Sequence, residues 1–157
     1  MLRTVLIVDP DERVATRLKA ALEGVADARA CHDFTTARTL LFGTPPDLLV
    51  SNLRLQSHNG LHLVHLAATA GLTTRALIYT DRPDAALASE AREAGAFVEQ
   101  LDTLPETLPA YAHANLPQLD RRTAGSADRR QVFRGGRRAA DAARVEGTAA
   151  HAPAKRI

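Results

Sequence analysis

Val5-Leu6-Ile7-Val8-Asp9-Pro10-Asp11-Glu12 changes character at its midpoint. Four consecutive apolar, mostly β-branched residues need cover on both sides, the condition of a strand inside a parallel sheet rather than on a half-wet antiparallel one. The next four carry three acids and a proline, the composition of a helix start. Asp9 is expected as N-cap, Pro10 at the first helical position, and the acids in the first turn, where unpaired N–H groups favour negative charge. Val14, Leu18, Leu22 and Val25 then recur at three- and four-residue steps and form one apolar face.

The same alternation repeats outward from this unit. Ala28 to Cys31 is a short strand candidate, and Asp33 can cap a helix bearing Ala37, Leu40 and Leu41, closed by Gly43 in the left-handed conformation. After Pro45-Pro46, Leu48-Leu49-Val50 is a third strand ending at Ser51-Asn52. A loop from Leu53 to Asn59-Gly60 leads into a helix with Leu61, Val64 and Ala68, stopped near Gly71. Ala76 to Tyr79 is a fourth strand, Pro83 to Ala94 a helix ended by Gly95, and Phe97-Val98 a fifth, very short strand. Thr103 to Glu106 fits a capping box for a last helix with Leu108 and Tyr111, kinked or shortened by Pro109. Five strand-helix units in about 115 residues predict an α/β fold, a doubly wound parallel sheet with right-handed crossovers. Functional groups in such sheets gather at the carboxyl ends of the strands.

Composition sets the outer limits. The chain has 157 residues, 45% hydrophobic and 24% charged, enough apolar content for one ordinary domain plus a tail. No apolar run approaches a membrane span and the first one is too short for a signal peptide, so a cytoplasmic protein without membrane insertion is expected. Cys31 is the only cysteine, which excludes an intrachain disulfide and cysteine-cluster metal sites. Residues 1–115 hold ten basic and fourteen acidic side chains, whereas 116–157 hold ten and four. An acidic body over 1–115 and a basic, Ala/Arg/Gly-rich, mostly disordered tail over 116–157 are therefore expected.

Val5-Leu6-Ile7-Val8-Asp9, Pro46-Asp47-Leu48-Leu49-Val50-Ser51-Asn52-Leu53-Arg54-Leu55, Asn59-Gly60-Leu61, Ala76-Leu77-Ile78-Tyr79-Thr80 and Glu93-Ala94-Gly95-Ala96 follow one another in an order and spacing that resemble the receiver domain of bacterial two-component response regulators, over residues 3 to about 112. The resemblance implies a flavodoxin-like (βα)5 fold with strand order 2-1-3-4-5. It also implies a phosphoryl-accepting aspartate after the third strand, two Mg²⁺-holding carboxylates after the first, a lysine after the fifth, and a Thr or Ser after the fourth.

Three of those roles lack their residue. The phosphoacceptor position is Asn52, an amide that cannot form an acyl phosphate. The second acid after Asp9 is Pro10, although Asp11 stands next to it as part of a residual acidic pocket. The lysine position falls on Gln100, or on Asp102 without a gap, and the chain's lysines are Lys19 and Lys155 alone. Thr80 keeps the phosphoryl-contact position and Phe97 that of the switch aromatic, but Asn52, Thr80 and Phe97 also have plain structural readings as loop amide, turn cap and core ring. A degenerate pseudo-receiver is thus expected, with no cofactor and Mg²⁺ disfavoured. It is not expected to be an enzyme.

By the same resemblance the face bearing Ala85, Ala88, Arg92, Phe97, Gln100 and Tyr111 would meet a signalling partner: a histidine kinase, an output protein, another regulator or a second copy. A phosphorelay receiver using Asp9, Asp11, Ser51 or Asp81 is the first alternative. The second is a nucleic-acid-binding adaptor whose tail, with pairs Arg121-Arg122, Arg129-Arg130 and Arg137-Arg138, holds phosphates or an anionic surface through salt-sensitive charge. His58, His62 and His65 stand at metal-site spacing but are expected to be solvated.

Overall fold

The computed structural model describes residues 1–114, so the tail arginines from Arg121 to Arg138 lie outside the described residues. The chain runs β1 (Arg3–Val8), α1 (Glu12–Ala21), β2 (Ala26–Cys31), α2 (Phe34–Gly43), β3 (Leu48–Asn52), β4 (Arg54–Leu55), β5 (His58–Asn59), α3 (Gly60–Thr69), β6 (Arg75–Thr80), α4 (Ala85–Glu93), β7 (Phe97–Gln100) and α5 (Leu104–His113). Five strands form one parallel sheet in the order β2-β1-β3-β6-β7. Counted within that sheet, this is the expected 2-1-3-4-5 arrangement.

The apolar runs go where double-sided cover is available. Val5, Ile7, Leu77 and Tyr79 pack under α1 and α5 with Leu18, Leu22, Leu104 and Leu108. Leu6, Val8 and Leu49 face Ala37, Leu41 and Leu63 of α2 and α3. Leu61, Ile78 and Ala91 fill the space toward α4. At the amino ends of the strands, the Nη1 atoms of Arg3 and Arg75 both donate to the Ala114 carbonyl, at 2.6 and 2.8 Å, fixing the end of α5 against the starts of β1 and β6.

Several local expectations are corrected. Asp11, not Asp9, caps α1: Asp9 Oδ1 accepts the Asp11 amide at 2.7 Å, turning the chain once more, and Asp11 Oδ1 then accepts from Arg13 N at 2.9 Å. Gly43 is the last residue of α2 and is not left-handed; the helix exits through extended Thr44 (φ −140°), the conformation that a following Pro45 favours. By contrast Gly71 and Gly95 do adopt positive φ behind α3 and α4. The segment 53–59 is not a plain loop, because β4 and β5 pair antiparallel around Gln56, whose φ is 52°. Thr103 makes no side-chain cap: its backbone is already helical (ψ −17°), and its hydroxyl donates to Gln100 O instead. Nor is α5 short, since it continues ten residues through Pro109 on a buried stripe of Leu104, Leu108 and Ala112. The last strand of the sheet reaches Gln100, two residues beyond the expected Val98.

Candidate functional site

The carboxyl ends of β1, β3 and β6 meet at one buried carboxylate. Asp9 is 1% exposed. Its Oδ2 accepts from the Tyr79 hydroxyl at 2.6 Å and from Asn52 Nδ2 at 3.1 Å, while Oδ1 takes the Asp11 amide. Asn52 in turn accepts the Arg54 amide on its Oδ1 at 3.0 Å. The adjacent strands set this meeting: Val8 pairs in register with Ser51, and Asn52 with Tyr79. Burial, and then the bond to Asp9, push the Tyr79 phenol far above its ordinary value, so it stays a donor.

This donor set does not suit a hard divalent cation. Mg²⁺ needs oxygen ligands with free lone pairs in near-octahedral array. Here one buried carboxylate has both oxygens engaged by N–H and O–H donors, Asp11 caps α1, and the Asn52 oxygen is held by Arg54 N. Among the described residues there is no group of three or more His, Cys, Asp or Glu side chains placed to hold a metal.

The other expected positions are placed as follows. Thr80 is buried, and its hydroxyl both donates to Arg82 O and accepts from Arg82 N, a local turn. Gln100 is exposed and sits beside Thr80 in register; Asp102 is exposed in the turn beyond. Among the described residues, Lys19 on α1 is the sole lysine. Ser51 is fully buried with its hydroxyl on the Asn52 carbonyl, whereas Asp81 is exposed.

Phe97 is half-buried and packs at 5.5 Å on Tyr111, whose hydroxyl donates to Glu99 Oε1 at 2.6 Å. Burial and that bond push Tyr111 up to about 12. Ala85, Ala88, Arg92 and Gln100 line a groove of about 350 Å³ between α4 and β7, floored by Leu53, Ile78, Ala91 and Val98. The expected interaction face is therefore split by β7: Phe97 and Tyr111 lie on the α5 side of the strand, the groove on the other.

Two features escaped the sequence. Tyr79 sits inside an apolar strand and carries no motif of its own. His58 and His62 are exposed, yet both stack on Phe34, with ring centroids at 4.5 and 5.1 Å, instead of standing free in solvent. Three aromatic-type rings in a helix start, a hairpin and a second helix could not be paired from spacing alone.

No protein-family model and no curated protein sequence matches the chain. Solved structures do. The Francisella response regulator 1452 receiver domain is similar at 18% identity and TM-score 0.64, over 70% of this chain and 93% of that one. The BeF3-activated receiver domain of DrrB, a Thermotoga maritima protein, is similar at 18% and 0.63, over 71% and 94%. A LuxR-family two-component response regulator from Aurantimonas sp. SI85-9A1 shares 24% identity at TM-score 0.59, over 71% and 86%. Among the described residues no helix is long and apolar enough to cross a membrane. Shape and strand order together establish that the described part of the chain has the flavodoxin-like fold of response-regulator receiver domains.

Proposed function

We propose that this chain is a degenerate receiver of two-component signal transduction, acting in the cytoplasm by binding a partner protein without being phosphorylated. The observation that carries this is the closed network of Asp9, Asn52 and Tyr79. A working site needs a nucleophilic carboxylate, a metal and a cation. Here an amide fills the first place, and the oxygens of Asp9 that would hold the second are taken by that amide and a phenol on Oδ2 and by the Asp11 N–H on Oδ1. The lysine position offers Gln100 or Asp102. The partner, a kinase, an output protein or another regulator, would dock on the α4–β7 groove, where apolar floor and exposed Arg92 stand together. Phosphorelay through Ser51 or Asp9 is disfavoured because both are buried and hydrogen-bonded.

The test is an amide NMR titration of the full chain with Mg²⁺ and beryllofluoride, the class of reagent named for the activated DrrB neighbour. No saturable shift at Asp9, Asn52 or Thr80 is expected. Saturable shifts there would overturn the proposal and bring the phosphorelay alternative forward.

A further inference from the structure

We infer that the free edge of β2 is built to pair antiparallel with β2 of a second copy of this chain, about a twofold axis at Ala28. The inference goes beyond the proposed function and stands whether or not the pocket is phosphorylated. β2 is an outer strand, bonded only to β1. The Asp9 amide donates to the Cys31 carbonyl at 3.1 Å, so Cys31, and by the two-residue period Arg29 and Asp27, turn their backbone groups inward to β1. Ala28 and Ala30 therefore turn theirs outward, and among the described residues no hydrogen bond reaches those outward groups. Asp27, Arg29 and Ala30 are exposed and Ala28 is half-buried, so the edge is open.

An open edge alone would say little, but its sequence is self-complementary. Turning Ala26-Asp27-Ala28-Arg29-Ala30 about Ala28 sets Ala26 opposite Ala30, Ala28 opposite itself, and Asp27 opposite Arg29. The backbone direction agrees with that centre. Ala28 would form a hydrogen-bonded pair with its copy, each N–H donating to the other's carbonyl. Asp27 and Arg29 would then fall on the non-hydrogen-bonded positions, where side chains approach closest. A centre at Asp27 or Arg29 would set that residue opposite its own copy, like charge against like at the closest side-chain approach, and a centre at Ala30 would set Asp27 against Asp33 of the other copy. Neither Asp27 nor Arg29 has an ion-pair or hydrogen-bond partner among the described residues. The twofold supplies both with one, twice over. A charged edge usually repels a second strand; here centres at Asp27, Arg29 and Ala30 oppose like charges, and the centre at Ala28 opposes unlike ones.

Sedimentation equilibrium of the full chain, from micromolar to millimolar concentration, tests this with charge reversals that leave the core untouched. The wild type should dimerise, more weakly as salt rises. Asp27→Arg alone and Arg29→Asp alone should each weaken the dimer about tenfold or more, since each turns two attractive pairs into two repulsive ones. Asp27→Arg with Arg29→Asp should restore it. A wild type that stays monomeric at millimolar concentration would overturn the inference. So would a dimer indifferent to the single reversals, or one that the double reversal fails to rescue.

Discussion

The Asp9 site and the α4–β7 groove share the carboxyl side of the sheet but treat polar groups in opposite ways. Around Asp9 every donor and acceptor is turned inward and matched: Tyr79 and Asn52 to one oxygen, Asp11 to the other, Arg54 N to the Asn52 oxygen. No buried side-chain N or O among the described residues lacks a partner. In the groove, an apolar floor is left partly uncovered and Arg92 and Gln100 stand exposed at its wall. A fully satisfied buried network favours one arrangement and leaves nothing for a ligand. An uncovered apolar surface with polar walls is what a partner can use. On the function proposed above, the place where chemistry would be expected serves the fold, and recognition falls to the flank.

Changing the amide back to an acid should break that division most severely. Asn52→Asp would set two carboxylates about 3.1 Å apart where a donor now bridges them. Without a cation to offset them the pair must share a proton, so its folded-state titration rises above the ordinary carboxyl value of about 4. Raised in the folded state, such a group lowers stability as pH climbs. The variant should match wild type below the ordinary carboxyl value and lose about 3 kcal/mol relative to it at neutral pH. Urea midpoints of the two proteins from pH 4 to 8 measure the difference. A gap that does not widen with pH would mean that the Asp9 pocket is wetter and less closed than its bonds imply.

The architecture was readable because each buried strand is a continuous apolar run, and five of them punctuated by Asp caps and glycine stops leave few topologies. Which residues stand at the carboxyl ends of the strands is also readable, because Asn52, Pro10 and the scarcity of lysine are facts of identity. What those residues bond to is not. Tyr79 looks like one more apolar strand residue, and its bond to Asp9 spans 70 positions and two intervening strand registers. Asp9 reads as a helix cap in the sequence because a carboxylate before a helix serves equally well as cap or as the hinge of a turn, and only the Asp11 amide decides between them. The hairpin around Gln56 was hidden because a non-glycine residue there takes the positive φ that Asn-Gly would have announced.

Removing only the phenol isolates one wall of the closed site. Tyr79→Phe keeps the ring in the core and leaves Asp9 Oδ2 with Asn52 as its single donor, which should cost about 2 kcal/mol, the range for a hydrogen bond to a buried charge. The pH dependence separates this from a packing defect. Tyr79 ionises far more readily unfolded, near 10, than folded, so its contribution is complete below about pH 10 and falls as pH rises above it. Tyr111, raised to about 12, adds in the same direction from its half-exposed place on α5. Wild type should therefore lose stability steadily above pH 10, and Tyr79→Phe should show a shallower decline. Equal alkaline slopes would show that folding does not hold the Tyr79 proton more tightly than the unfolded chain does.

The groove should answer in the opposite sense. Ala88 lies half-buried on the wall of a space of about 350 Å³, so Ala88→Gln has room to extend into it without displacing core atoms. Ala and Gln differ little in helix preference, and a surface change of this kind alters stability by within about 0.5 kcal/mol. Amide shifts in the variant should be confined to α4, β7 and the neighbouring end of β6, with Asp9, Asn52 and Tyr79 unmoved. A destabilisation as large as that of Tyr79→Phe, or shifts that reach Asp9, would mean that groove and pocket form one packed unit, and that a partner seated on the flank could change the arrangement around the buried carboxylate. Silence at Asp9 would leave the two regions independent, as the proposed division of a structural pocket and a partner-binding flank requires.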